Sequence, residues 1–194
     1  MSKPLHMLAA CTLLACCLPL QAAAVRKVTL AVISVADDAR YAKRRMELAY
    51  PGQPQGRAIQ GVELAVQDTA LELQDAGVEL NVHDLVLPTA AALPQALQQL
   101  KAAQVGHIVA DLPEPALREL VRTASATLGE VMIFNTGLAD DGLRGDGCAA
   151  SLLHTMPSQQ MQADALAQFL ATRQWRKLLV LQGPQAADLL MGQA

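Results

Sequence analysis

Gly106-His107-Ile108-Val109-Ala110-Asp111-Leu112-Pro113-Glu114-Pro115-Ala116-Leu117 opens the stretch that decides the fold, and Leu128-Gly129-Glu130-Val131-Met132-Ile133-Phe134-Asn135 closes it. Residues 106–110 are a short apolar run, long enough for a buried strand and too short for a helix. Residues 114–128 then read as a helix, with Pro115 at a place where its missing N–H costs nothing. Residues 131–135 are a second apolar run. Strand, helix and strand in about thirty residues argue for a crossover unit and hence for parallel strands.

The same alternation extends in both directions. Upstream, residues 27–33 (Lys-Val-Thr-Leu-Ala-Val-Ile) predict a first strand. Residues 58–76 predict a helix whose broad apolar face carries Ile59, Val62, Leu64, Ala65, Val66, Thr69, Ala70 and Leu73. Gly77 stands where a helix C-cap wants it. Residues 78–84 alternate Val78, Leu80 and Val82 with Glu79, Asn81 and His83, as a half-buried strand does. Residues 90–104 predict another helix, with Pro94 in its first turn. Downstream, residues 152–155 predict a fifth strand, 159–172 a helix, 177–181 a sixth strand and Gln185 a further helix start. Residues 40–50 predict a short helix that Pro51 and Pro54 stop. The whole predicts an α/β class: a doubly wound parallel sheet flanked by helices. Ligands of such sheets bind at the carboxyl ends of the strands near the topological switch point, here the loops after Ile33, Asp84, Ala110 and Asn135.

Composition narrows the function. The 194 residues are 52% hydrophobic and only 17% charged, so the chain has the apolar content for a packed core. A net charge of −3 and 3% aromatics oppose a nucleic-acid interface, which needs a basic face and stacking platforms.

Residues 1–24 read as a secretory signal peptide. Lys3 and His6 precede an uncharged apolar run over 7–20, and Ala22-Ala23-Ala24 places cleavage after Ala24. That run is too short for a comfortable membrane span. Leu13-Leu14-Ala15-Cys16 also looks like a lipobox, with lipidation at Cys16 as the lesser reading. Cleavage removes Lys3 and moves the net charge to −4. It also removes Cys11, Cys16 and Cys17 and leaves Cys148 without a disulfide partner. No membrane span is expected after cleavage.

Chemistry-bearing motifs are sparse. His83, His107 and His154 stand singly, so no metal site is expected. The turn after the first strand, Ser34-Val35-Ala36-Asp37-Asp38, lacks the glycines of a dinucleotide loop, so no cofactor is expected. The acidic loop 140–147 does not have the ligand spacing of a calcium-binding EF-hand. Asp37 and Asp38, at a strand's carboxyl end, have the chemistry for acid–base work or for holding a cation, and equally for a turn. No catalytic residue is assigned.

A resemblance enters with the segment Leu152-Leu153-His154-Thr155-Met156-Pro157-Ser158-Gln159-Gln160-Met161, through Leu166-Ala167-Gln168-Phe169-Leu170, to Trp175-Arg176-Lys177-Leu178-Leu179-Val180-Leu181. It resembles the crossover of type I periplasmic solute-binding proteins, the branched-chain amino acid group of ABC transporters. There a strand ends in a Pro-Ser turn, a helix follows, and an apolar strand opens the second lobe. Residues 28–33 and Gly61-Val62-Glu63-Leu64-Ala65-Val66-Gln67-Asp68 are similar to the first strand and helix of that family's amino-terminal lobe. The block Tyr41…Arg44-Arg45…Glu47…Tyr50-Pro51-Gly52…Pro54…Gly56-Arg57 looks like the subgroup associated with pyrroloquinoline quinone-dependent alcohol dehydrogenase systems.

The resemblance implies a signal peptide over 1–24, an amino-terminal lobe over 25–173 and the start of a truncated second lobe over 174–194, the chain being a fragment. It implies a periplasmic protein that binds a small molecule and presents it to an ABC permease or sensor in the inner membrane. Thr136 and Asn135 fall where the family offers a hydroxyl or backbone contact, and Asp37 and Asp111 flank the same strand ends. One departure bears on the ligand. Where amino-acid binders carry small hydroxyl residues, this chain has Asp111-Leu112-Pro113-Glu114-Pro115, whose acids are expected to repel a carboxylate. Two other readings stay open: an interaction or regulatory module on the same fold, and a small secreted α/β enzyme using Asp37 or Asp38.

Overall fold

The structure is a computed structural model, and it describes residues 25–41 and 56–181, together with 183 and 189. The elements are β1 (Arg26–Val35), α1 (Ala58–Asp68), α2 (Ala70–Asp75), β2 (Val78–Leu87), α3 (Leu93–Ala102), β3 (His107–Asp111), α4 (Glu114–Leu128), β4 (Met132–Asn135), β5 (Leu152–His154) and α5 (Gln159–Thr172). Three short 3-10 turns, Ala39–Tyr41, Ala90–Ala92 and Asp141–Leu143, sit between them.

The five strands form one sheet in the order β2-β1-β3-β4-β5, and every pairing is parallel. The α/β parallel sheet expected from the alternation is therefore present. β1 is central. It pairs with β2 over ten residues, from Arg26↔Val78 to Val35↔Leu87, and with β3 from Leu30↔His107 to Ser34↔Asp111. Its last five residues are all buried. The order reverses at β1: β2 lies on one side, while β3 and everything after it lie on the other. The switch point is thus between the carboxyl ends of β1 and β3.

Strand side chains alternate between the two sheet faces, and the two faces are covered differently. Ala31, Ile33, Val35, Ile108, Ala110 and Ile133 pack on one face into a core completed by α3 and α4. α3 contributes Leu93, Ala96, Leu97 and Leu100, and α4 contributes Ala116, Leu117, Leu120 and Ala124. The spacing of the α4 residues puts them on one stripe of the helix. Pro113 caps α4, Glu114 lies in its positively polarised first turn, and Gly129, at φ +83°, ends it in a conformation that favours glycine. The opposite sheet face, with Val28, Leu30, Leu80, Val109 and Phe134, borders an open cavity beside α1.

Three expectations change. The single helix over 58–76 is two helices that meet at Thr69, whose φ of −98° and ψ of 9° depart from helical values; its hydroxyl donates to the Ala65 carbonyl at 2.7 Å, alongside its own N–H at 3.0 Å. The buried stripe is also narrower than the broad face expected. Ile59, Val62, Val66, Thr69 and Leu73 are half-buried, but Leu64, Ala65 and Ala70 are exposed. Gly77 does adopt the left-handed cap, at φ +64°.

The sixth strand, over 177–181, does not form. A strand is held by ladder bonds to a neighbour and by a buried face, and these residues have neither. Leu178 to Leu181 stand 56–88% exposed. The expected helix over 40–50 is described only to Tyr41, as the 3-10 turn Ala39–Tyr41, and the helix start at Gln185 lies outside the described residues. So do the signal peptide, Ala24 and Cys16. Among the described residues, no helix is long and apolar enough to cross a membrane.

Candidate functional site

The carboxyl ends of β1 and β3 bring two acids and two arginines together. Asp111 ends β3 and is 1% exposed. Its Oδ1 accepts from the Tyr41 hydroxyl at 2.7 Å and from Arg40 Nη2 at 3.0 Å. Asp38 follows β1. It accepts from the Arg40 backbone N–H at 2.9 Å, from Arg40 Nε at 3.0–3.1 Å and from Arg40 Nη2 at 2.6 Å. Arg40 therefore ties the two strand ends to each other. Arg57, at the entrance to α1, donates from Nη2 to the Ala36 carbonyl at 3.1 Å and lays its guanidinium 4.2 Å from the centre of the Tyr41 ring. Its Nη1 is 3.9 Å from Asp111 Oδ2. Neither of those two atoms makes a hydrogen bond, although both are buried.

The charges set the protonation states. Burial pushes the Asp38 carboxyl up, but hydrogen bonds from Arg40 and the charges of Arg40 and Arg57 outweigh it, and the net shift is downward. Burial, then the bond to Asp111, pushes the Tyr41 phenol up to about 12, so it stays a neutral donor. Burial lowers Arg40, but Asp38 and Asp111 more than reverse it. A carboxylate held ionised in this way does not exchange protons near neutrality, so Asp38 suits structure and charge balance better than acid–base work.

The cluster forms one end of the open cavity, of about 720 Å³. Tyr41, Arg57, Thr136 and Thr155 supply its polar groups at the carboxyl edge, and Val28, Leu30, Val109 and Phe134 form the apolar floor across the sheet. Each threonine hydroxyl donates to a backbone carbonyl, Thr136 to Ala110 at 3.2 Å and Thr155 to Asn135 at 3.0 Å. Each retains lone pairs for a further donor. The site can thus hold an apolar body while offering one guanidinium and two hydroxyl acceptors at its polar end.

The four residues expected at the site fall in different places. Thr136 lines the cavity. Asp111 is at the switch point, behind Arg57. Asn135 is fully buried and builds the loop instead: its Oδ1 accepts from the N–H groups of Gly137 and Leu138, and its Nδ2 bonds the Leu138 carbonyl at 2.6 Å and meets His154 Nδ1 at 3.0 Å. Asp37 is exposed in the turn, and its neighbour Asp38 points inward. The acids of the 111–115 loop have cationic neighbours. Asp111 is covered by two guanidiniums, Glu114 pairs with Arg118 at 2.8 Å, and the two prolines shape the start of α4.

Arg40, Tyr41, Arg57 and Thr155 were not read as site residues. Tyr41 and Arg57 belong to the Tyr41…Gly56-Arg57 block, but nothing in one sequence says that they stack across the strand ends. Gly137 left a usable signal: a Cβ there would clash with the Arg40 guanidinium, so this glycine makes room for the ion pair. His83, His107 and His154 sit on different strands, β2, β3 and β5. No group of metal-ligating side chains is present among the described residues. Comparison with known proteins adds no identity: the chain matches no family model and no curated protein.

Proposed function

We propose that this chain is a solute-binding lobe, a non-catalytic module that takes a small molecule at the carboxyl edge of its sheet. The carrying observation is the convergence of Tyr41, Arg57 and Thr136 on one cavity at the switch point between β1 and β3. Parallel sheets place their ligands there because the diverging crossovers leave a crevice. The resemblance to type I periplasmic solute-binding proteins supports the same reading, with residues 1–24 as the export signal and an ABC permease or sensor as the partner. In that scheme residues 174–194 lead into a second lobe. Closure of two lobes on the ligand changes the surface shown to the partner.

A second reading, an interaction module on this fold, draws on a separate observation. α5 and the residues after it expose Met161, Leu166, Phe169, Trp175 and Leu178 to Leu181. Thermal unfolding of the full chain against a panel of alcohols, acids, amino acids and quinones separates the two. A concentration-dependent rise in Tm with one chemical class supports binding, since a ligand held by the native state stabilises it by mass action. A well-folded chain whose Tm no compound moves favours the interaction module.

A further inference from the structure

The cavity's polar end is already neutral before any ligand arrives. Asp38 and Asp111 are matched by Arg40 and Arg57, and Arg40 binds both acids through Nε and Nη2. What remains unsatisfied is one donor and one acceptor. Arg57 Nη1 and Asp111 Oδ2 are both buried, neither has a hydrogen bond, and they lie 3.9 Å apart. Leaving such groups unpaired is costly, so something that satisfies both is favoured. An oxygen about 2.8 Å from each atom would see them at an angle of about 90°, which suits a hydroxyl that accepts on one side and donates on the other.

We infer, on the reading above, that the solute is a neutral molecule with an apolar body and a head that both donates and accepts, such as a hydroxyl or a primary carboxamide. The body lies along Val28, Leu30, Val109 and Phe134. The head enters beside Arg57, accepts from Nη1 and donates to Asp111 Oδ2. A carboxylate head would satisfy Arg57 but stand against the Asp111 carboxylate. An ammonium head would satisfy Asp111 but stand against Arg57. In a site of low dielectric each like-charge contact is unfavourable. Arg57 lines the cavity and Asp111 lies behind it, so on this inference the head reaches Oδ2 by displacing the Arg57 side chain, which is 27% exposed.

The test uses the full chain and four probes with one eight-carbon tail: octan-1-ol, octanamide, octanoate and octylammonium. Binding is followed by calorimetry. Octan-1-ol and octanamide should bind about tenfold more tightly than either charged probe, the scale of one satisfied buried polar group. Asp111→Asn should invert part of that order, because it removes the charge that opposes octanoate while keeping the shape. Arg57→Leu, at a partly exposed side chain, gives an independent arm. It should raise octylammonium relative to octan-1-ol, because the charge that opposes an ammonium is gone while Asp111 remains, and octanoate should weaken further. Octanoate binding more tightly than octan-1-ol to the unmodified chain overturns the inference and leaves the solute-binding reading standing. Equal binding of all four heads overturns it likewise. Failure of every probe to bind overturns the cavity as a solute site, and the reading on which the inference rests.

Discussion

α4 and α5 are nearly equal in length and differ in almost everything else. α4 buries Ala116, Leu117, Leu120 and Ala124 and keeps its charges outside in Glu114–Arg118 and Glu119–Arg122 pairs. α5 buries nothing. Its start is fixed by Ser158, whose hydroxyl accepts from the Met161 N–H at 3.2 Å, and by the Gln159 N–H on the Ala139 carbonyl. Beyond that start Met161, Leu166 and Phe169 face outward, and Leu170 is only half-buried. Phe169 and Trp175 pack edge to face on each other, with ring centres 6.1 Å apart, and the Arg173 guanidinium lies 5.4 Å from the Phe169 ring centre. The difference teaches that helix formation and helix packing are separate matters. Capping and propensity determine where α5 begins and ends, but without an apolar stripe matched to the sheet it has nothing to bury.

The largest effect that can break this comparison is a pair of core truncations. Leu120→Ala in α4 should lower stability by about 3 kcal/mol, as a fully buried leucine does on leaving a cavity. Leu166→Ala in α5 should change it by less than about 0.5 kcal/mol, as exposed substitutions do. Urea unfolding measures both, and equal losses would mean that α5 packs on the body after all.

Next is Asp111→Ala, which strips Arg40 and Tyr41 of a shared buried acceptor and Arg57 of a neighbouring carboxylate. A loss of about 3 kcal/mol is expected. The Tyr41 phenol, raised first by burial and then by its bond to Asp111, should titrate below its present value of about 12. Ultraviolet absorbance during alkaline titration reads that shift, which loss of stability alone would not produce in a protein still folded.

Acid is a gentler probe of the same cluster. Asp38 titrates below the ordinary 3.8 in the folded chain because Arg40 favours its ionised form. Its contribution to stability is therefore complete above the unfolded value and is lost as pH falls through the lower folded one. Stability measured between about pH 5 and 2 should fall, and Arg40→Met should flatten part of that slope.

The smallest effects concern two helix ends. Gln104, after α3, and Gln174, after α5, both adopt left-handed φ, +54° and +56°. Glycine relieves that strain, by about 0.5–1 kcal/mol. Gln104→Gly should raise the global unfolding midpoint, since α3 belongs to the core. Gln174→Gly should slow amide exchange only locally, in the last turn of α5.

Much of this fold was legible because local signals agree with it. Gly77 and Pro115 mark ends that the backbone confirms, and the β-branched run at the start of β1 and the alternation in β2 mark strands. The break at Thr69 was hidden because threonine at that position still fits the helical stripe, and only the backbone angles there depart from the helix. Residues 177–181 have the composition of a buried strand, yet composition does not supply the neighbour that a strand needs. At the site, Asp111 and Thr136 could be placed by strand ends alone. Arg40, Tyr41 and Arg57 could not, because their meeting depends on the path between β1 and α1, and Asn135 has a polar side chain that is spent on its own loop.

The most direct test of a solute site at the switch point is amide chemical-shift mapping during titration of the full chain with octan-1-ol. The account predicts shifts concentrated at Tyr41, Arg57, Thr136 and Thr155, with Phe169, Trp175 and Leu179 unmoved. Shifts confined to α5 and residues 175–181, or none at all, would contradict it.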